Sequence, residues 1–94
     1  MSLQELITQW HLDTFGHLCT NERILRKFNE ERRELEIAVA DGADWPQEAA
    51  DVVICLMTLC GRNGVDLMAE VEEKAAIVMA RTDQVQRDKQ RGVL

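Results

Sequence analysis

The feature that most constrains this chain is an apolar run in its middle. Positions 52–57 read Val-Val-Ile-Cys-Leu-Met. Pro46, a favoured residue of a first helical turn, precedes the run, and Gly61 and Gly64 follow it. A helix that is apolar on every side is buried on every side. The fold must therefore surround this segment with other elements.

The rest of the chain also has the periodicity of helices. Apolar residues recur every three or four positions, and the sequence contains one proline and no alternation typical of strands. The expected helices cover about residues 3–14, 22–40, 46–60 and a segment from 66 onward. Thr20 or Asn21 is expected to cap the second helix, Gly42 to end it in a left-handed turn, and Asp66 to cap the fourth. The residues expected to face inward on the fourth helix are Leu67, Val71, Ala75, Val78 and Met79.

Four helices with short links predict an all-α, four-helix bundle-like domain. Its expected extent is residues 1–85, followed by a polar C-terminal tail at 86–94. Three short neighbours are too few to cover a helix that is apolar all round. We therefore expect pairing with further copies, as a homodimer or a homotetramer.

Charge and composition exclude several functions. The net charge of −6, from 11 basic and 17 acidic residues, argues against nucleic-acid binding, which needs a basic face. No apolar run approaches the roughly 18 residues of a membrane span. The first five residues have neither the basic nor the apolar region of a secretory signal. The three cysteines form no CxxC pair, so a cytoplasmic protein with reduced thiols is expected.

Two acidic pairs suggest a metal site. Glu31 and Glu34 lie three residues apart in the second helix, and Glu48 and Asp51 lie three apart in the third. Residues at this spacing share a helix face, with Cβ atoms roughly 5–6 Å apart. If the helices face each other, four carboxylates form an oxygen-rich site for Mg²⁺, with Mn²⁺ as an alternative. Asp51 precedes Cys55 by one turn and is expected to enter the bundle.

The same residues have a plainer interpretation. An ExxE spacing is usually a solvated helix face, and Glu48 and Asp51 could pair with Arg32 and Arg33. Against this, two like charges about 4 Å apart repel by roughly 4 kcal/mol at an effective dielectric constant of 20. Four converging carboxylates would therefore require cations or protons. On spacing alone, the two interpretations are balanced.

The acidic pairs and their surroundings resemble the MazG-like all-α nucleoside triphosphate pyrophosphohydrolases. Residues 30–35 (EERREL) and 48–52 (EAADV) resemble the family's EExxE(L) and ExxD motifs, and residues 61–67 resemble the turn and helix start that follow. Lys74 and Arg81 resemble two positions of the family's KxxxNxxR element. The resemblance covers about residues 5–82, and the paired motif is its most specific part.

The resemblance implies hydrolysis of a nucleoside triphosphate to a monophosphate and pyrophosphate. It also implies that Glu31, Glu34, Glu48 and Asp51 hold Mg²⁺. One carboxylate, Glu34 or Glu31, would orient or deprotonate the attacking water, and the sequence does not separate these roles.

The resemblance suggests substrate contacts outside the acidic pairs. Lys74 and Arg81, two helical turns apart, could bind phosphate oxygens, although surface salt bridges are an equally good account of both. Trp10 and Phe15 could stack on a base, although packing is the commoner role of such residues. Val78 stands where the family has Asn.

Two alternatives to an enzyme stay open. The substitution at Val78 favours a non-catalytic relative that binds nucleotide or metal. The acidic helices and the apolar helix would also suit a helical protein-interaction module.

Overall fold

The computed structural model describes residues 1–92, the side chain of residue 83 excepted, and every element in that part of the chain is a helix. The helices are α1 (Leu3–Phe15), α2 (Asn21–Asp41), α3 (Trp45–Arg62), α4 (Leu67–Ala80) and α5 (Thr82–Gln90). The prediction of an all-α fold is confirmed, and the first four helices lie close to the predicted segments.

A fifth helix includes part of the predicted polar tail, up to Gln90. Hydrogen bonds between side chains one helical turn apart support α5: Gln84 Nε2 donates to Asp88 Oδ1 (2.9 Å), and Arg87 Nη2 donates to Gln84 Oε1 (3.0 Å). Its basic residues in the last turn suit the helix dipole. The last two tail positions, 93 and 94, lie outside the described residues.

The predicted helix ends are confirmed where they position the site. Thr20 Oγ1 accepts a hydrogen bond from the Arg23 backbone N–H (3.2 Å) and caps α2. Gly42 ends α2 in the left-handed conformation, with φ of 67°. Asp66 Oδ1 caps α4 by accepting from the Ala69 N–H (3.2 Å).

Helix α3 is the centre of the fold, with α2 packed along it and α1 packed across it. The buried residues lie mostly between α2 and α3: Ile24, Glu31, Ala38, Cys55 and Thr58. Helix α1 approaches α3 closely at Gly61, where an added Cβ would stand 1.8 Å from Thr8 Oγ1. A glycine is needed there because a side chain would push α1 away.

Polar contacts fix α1 and α2 at the C-terminal end of α3. Gln4 Nε2 donates to the Val65 carbonyl (2.7 Å), and Gln4 Oε1 accepts from the Leu67 N–H (3.0 Å). Asn63 Nδ2 donates to Asn21 Oδ1 at 2.8 Å. These contacts lock the α3–α4 turn and the start of α2 to the same end of the central helix.

Within this chain, the apolar side of α4 is uncovered. Helix α4 contains no buried residue; Val71 and Val78 are 48% exposed and Met79 is 66% exposed. The prediction that these three side chains face a core of the same chain is wrong, because α4 contacts α3 only sparsely. Helix α3 is not enclosed either, since Val53 and Ile54 are exposed.

The described residues contain no single helix with the length and apolarity needed to cross a bilayer. Only α3 taken together with the segment Leu67–Gln90, across a sharp bend, meets that criterion by length and composition.

Candidate functional site

Three of the four predicted carboxylates converge between α2 and α3. One carboxylate oxygen from each of Glu31, Glu34 and Glu48 lies within 4.8 Å of the other two. Glu31 is buried, Glu48 is half-buried and Glu34 is exposed. The i,i+3 spacing on α2 and the packing of α2 against α3 therefore produce the predicted cluster.

The cluster concentrates negative charge with little compensation. Lys27 Nζ lies 2.9 Å from Glu31 Oε1. Among residues 1–92, the buried oxygens Glu31 Oε2 and Glu48 Oε2 have no hydrogen-bond partner. The negative charge of Glu31 is the main cause that raises the pKa of Glu34, followed by loss of solvent and the charge of Glu48. Oxygens without partners in an acidic cluster fit a hard divalent cation.

Asp51 does not join this cluster, and the expectation that it enters the bundle is wrong. Its side chain is exposed, although it lies on the same side of α3 as the buried Cys55. The cause is an open cavity beside α3, which Asp51 and Glu31 both line. Asp51 is therefore near the glutamates but faces solvent.

The salt-bridge account of Glu48 and Asp51 finds no support in the described part of the chain. Neither residue forms an ion pair there, and Arg32 instead bonds Glu36 on its own helix. The other ion pairs join Lys27 to Glu31 and, at 3.8 Å, to Glu30.

The cavity has a volume of about 420 Å³ and is formed by α1, α2 and α3. Its acidic end contains Glu31 and Asp51. Its middle is lined by Ile24, Ile54, Cys55 and Thr58. Burial, with the neighbouring charge of Glu31, raises the pKa of the Cys55 thiol, so this cysteine is an apolar lining residue and not a nucleophile.

The other end of the cavity is aromatic. Trp10, His11 and Phe15 of α1 line it, with the Trp10 and Phe15 ring centroids 6.0 Å apart edge to face and those of His11 and Phe15 4.6 Å apart. Trp10 is 55% exposed and Phe15 is 50% exposed. The three rings pack on one another and leave part of their surface open to the cavity.

Two cations of α2 complete the cavity and were not predicted from the sequence. Arg23 and Lys27 both line it, one helical turn apart. The signal available for Lys27 was its position four residues before Glu31. Arg23 has no comparable signal, because its position depends on where α1 lies.

Lys74 and Arg81 are not brought to the cavity by this chain. Lys74 lies in α4 and Arg81 at its C-terminal cap, and neither lines the cavity. Helix α4 begins at the C-terminal end of α3, whereas Glu48 lies in the first turn of α3. The predicted phosphate contacts are therefore separated from the carboxylates within one copy.

Comparison with known proteins gives one family. Residues 12–76, more than half of the 94 residues, match the family model described as phosphoribosyl-ATP pyrophosphohydrolase. The match contains all four predicted carboxylates, Phe15 and Lys74, but neither Trp10 nor Arg81. Searches of curated proteins and of solved structures gave no match.

Proposed function

Because this chain belongs to the phosphoribosyl-ATP pyrophosphohydrolase family, an all-α family related to the MazG-like pyrophosphohydrolases, we propose that it hydrolyses a nucleoside triphosphate with Mg²⁺. The bond cleaved is the one between the α- and β-phosphates, and the products are a nucleoside monophosphate and pyrophosphate. Phosphoribosyl-ATP, which the family description names, is the first substrate to test, and the common nucleoside triphosphates are the second.

The observation that carries this proposal is the three-glutamate cluster, one member of which, Glu31, also lines a cavity with aromatic residues. Glu31, Glu34 and Glu48 would hold the cation, and Asp51 is near enough along the cavity wall to join them or to hold a second ion. When bound, Mg²⁺ would offset the negative charge of the phosphates and of the glutamates. Mn²⁺ could substitute because it accepts the same oxygen ligands.

Glu34 is the residue that we assign to the attacking water. Glu31 is buried and already accepts from Lys27, whereas Glu34 is exposed to solvent and can reach a water molecule. An exposed carboxylate of the cluster can accept the proton that the water loses as it attacks the α-phosphorus.

The cavity suggests how a nucleotide lies. Its triphosphate would occupy the acidic end, where Lys27 adds a positive charge beside the cation site. Its base would stack at Trp10 and Phe15, a contact worth roughly 1–3 kcal/mol per base in other nucleic-acid binders.

We place the reaction in the cytoplasm. The free thiols of Cys19, Cys55 and Cys60 are compatible with the reducing conditions there.

The test is pyrophosphate release from phosphoribosyl-ATP and from a panel of nucleoside triphosphates, with Mg²⁺ and with a chelator. We expect Glu34→Gln to lower kcat by roughly 10²- to 10⁴-fold, the usual contribution of a general base. The matched control is Glu36→Gln, on the same helix but paired with Arg32. Turnover of the Glu34 variant at the wild-type rate would refute the assignment.

A non-catalytic relative is the second candidate. It is favoured by Val78 in place of the family Asn and by the position of Lys74 and Arg81 outside the cavity. This alternative predicts Mg²⁺-dependent nucleotide binding by calorimetry without any release of pyrophosphate.

We also propose that the protein is a homo-oligomer. The support is the uncovered apolar side of α4 and the exposed Val53 of α3. Exposed apolar surface of this kind is typical of a subunit interface.

A further inference from the structure

The guanidinium of Arg62 ties the aromatic end of the cavity to α3. Arg62 Nη2 donates to the Gly16 carbonyl (2.7 Å) and to the Cys19 carbonyl (3.2 Å), while Nη1 lies 3.1 Å from His11 Nδ1. Arg62 is in the last turn of α3, and its three partners are at the end of α1 and in the connection to α2. One side chain therefore fixes both the connection and the imidazole.

This contact determines the protonation of His11. A guanidinium has only donors, so His11 Nδ1 must accept with its lone pair. A neutral imidazole that accepts at Nδ1 carries its hydrogen on Nε2. Burial, and then the positive charge of Arg62, lower the pKa of His11, which keeps the ring neutral near pH 7.

His11 also faces the proposed substrate. It lines the cavity beside Trp10 and Phe15, and its ring centroid is 4.6 Å from that of Phe15. Within residues 1–92, its one side-chain hydrogen bond is the contact of Nδ1 with Arg62. The Nε2–H group therefore remains as a hydrogen-bond donor on the ring beside Trp10 and Phe15, where a base would stack.

We propose that His11 is a specificity-determining residue whose Nε2–H donates a hydrogen bond to an acceptor atom of the nucleoside, and that Arg62 is the positioning residue that fixes this tautomer. The inference rests on the proposed function, because it needs a nucleotide in the cavity. The acceptor belongs to a purine ring nitrogen or to a ribose oxygen, and substrate analogues distinguish the two sources.

The kinetic test compares His11→Phe, which keeps a ring and loses the donor, with His11→Gln, which keeps an N–H donor. On the best purine triphosphate of the wild type, we expect His11→Phe to raise KM roughly five- to tenfold, the effect of one hydrogen bond, with kcat within about twofold. His11→Gln should recover part of the loss. The matched control is His17→Phe, because His17 is the other histidine and is exposed.

Analogues identify the acceptor. The 1-deaza, 3-deaza, 7-deaza, 2′-deoxy and 3′-deoxy forms of the same nucleotide each remove one acceptor. One of these analogues should bind the wild type more weakly than the parent nucleotide does, by the same factor as His11→Phe weakens binding of the parent. The His11→Phe variant should bind that analogue and the parent nucleotide equally well. If no analogue shows this dependence on His11, the inference is overturned.

Nitrogen NMR of the imidazole tests the tautomer without any substrate. We expect protonation at Nε2 in the wild type and a mixture of tautomers in Arg62→Met, which has no donor; protonation at Nδ1 in the wild type would overturn the inference. The two proposals can fail separately. Wild-type protein that releases no pyrophosphate would refute the proposed function and with it this inference, whereas an active wild type with an unchanged KM in His11→Phe would refute the inference alone.

Discussion

One carboxylate oxygen of Glu31 contacts Lys27 Nζ, and the other is buried without a hydrogen-bond partner in the described part of the chain. One carboxylate oxygen from each of Glu31, Glu34 and Glu48 lies within 4.8 Å of the other two. Like charges this close repel one another. This repulsion is a strain on the metal-free protein, and a cation would relieve it.

Replacing Glu48 by Gln tests this strain. Without metal, we expect the free energy of unfolding to rise by about 1 kcal/mol, because one of three negative charges is removed from a partly buried cluster. With saturating Mg²⁺, the wild type should gain stability by mass action, about 2.7 kcal/mol at 100 times Kd, and the variant should not. Urea unfolding with and without Mg²⁺ measures both. An equal Mg²⁺ effect in the variant would contradict the metal site.

His11 gives a pH dependence at the opposite end of the cavity. The charged group in contact with it is the guanidinium of Arg62 of α3. The same cavity is also lined by the cations Arg23 and Lys27 and, at the acidic end, by Glu31 and Asp51. Its pKa in the folded state lies below the ordinary value of 6.5. The unfolded chain therefore binds a proton first as the pH falls. The contribution of neutral His11 to the free energy of unfolding is therefore fully present above pH 6.5. It is lost as the pH falls through the pKa of His11 in the folded state.

We expect the stability of the wild type to fall, relative to His11→Gln, as the pH is lowered from 7.5 to about 5.5. The measurement is chemical unfolding at each pH, with His17→Gln as the control because that residue is exposed. A constant difference between wild type and His11→Gln across this range would show that His11 is not buried neutral.

The residues that the sequence predicted correctly are those related by local spacing. Glu31 and Glu34 share a face because they are three apart on one helix, and Glu48 joins them because α2 and α3 pack against each other, as the prediction of the site assumed. The contact of Arg62 with His11 spans 51 positions, and no local pattern contains it. The exposure of Asp51 likewise depends on the cavity that α1 leaves open, which periodicity does not describe.

At the scale of elements, the sequence predicted the helices well and their packing partners less well. Caps and turns such as Thr20 and Gly42 are local signals, and they mark the ends of α2 correctly. An apolar stripe shows which side of a helix is buried but not what covers it. The stripe of α4 was therefore assigned to a core that this chain does not build.

The crossing of α1 over α3 depends on Gly61, which looked like a helix terminator in the sequence but lies inside α3. We expect Gly61→Ala to lower the free energy of unfolding by about 1–3 kcal/mol, because its Cβ would stand 1.8 Å from Thr8 Oγ1 and overpack the crossing. A displaced α1 also moves Trp10 and Phe15, so KM for the nucleotide should rise.

The double variant Thr8→Ala with Gly61→Ala is the matched control. Removing the Thr8 hydroxyl and methyl takes away two of the three atoms nearest to the new Cβ, at 1.8 and 3.1 Å. It should therefore restore part of the stability and part of the KM. If the double variant loses more free energy of unfolding than the two single variants lose together, steric contact at the crossing is not the cause.

At the scale of the whole molecule, one copy is more extended than a compact domain of the same length. Its radius of gyration is 17.3 Å, against about 12 Å for a compact domain of this length. We expect sedimentation at micromolar concentration to give a dimer or tetramer. Val71→Glu, on the exposed apolar side of α4, should shift the protein to monomers and lower its melting temperature. A wild type that sediments as a stable monomer would refute the oligomer.

An oligomer would also account for the position of Lys74, which lies in α4 and outside the cavity of its own chain. If Lys74 binds phosphate, a neighbouring copy is one way to bring it to the glutamates. Glu31→Gln and Lys74→Ala should then each lose activity, while their co-expressed mixture regains about a quarter of the wild-type rate. In a dimer, half of the mixed molecules contain both variants, and one of their two sites has neither substitution. A mixed oligomer that stays inactive would show that each site draws both residues from one chain.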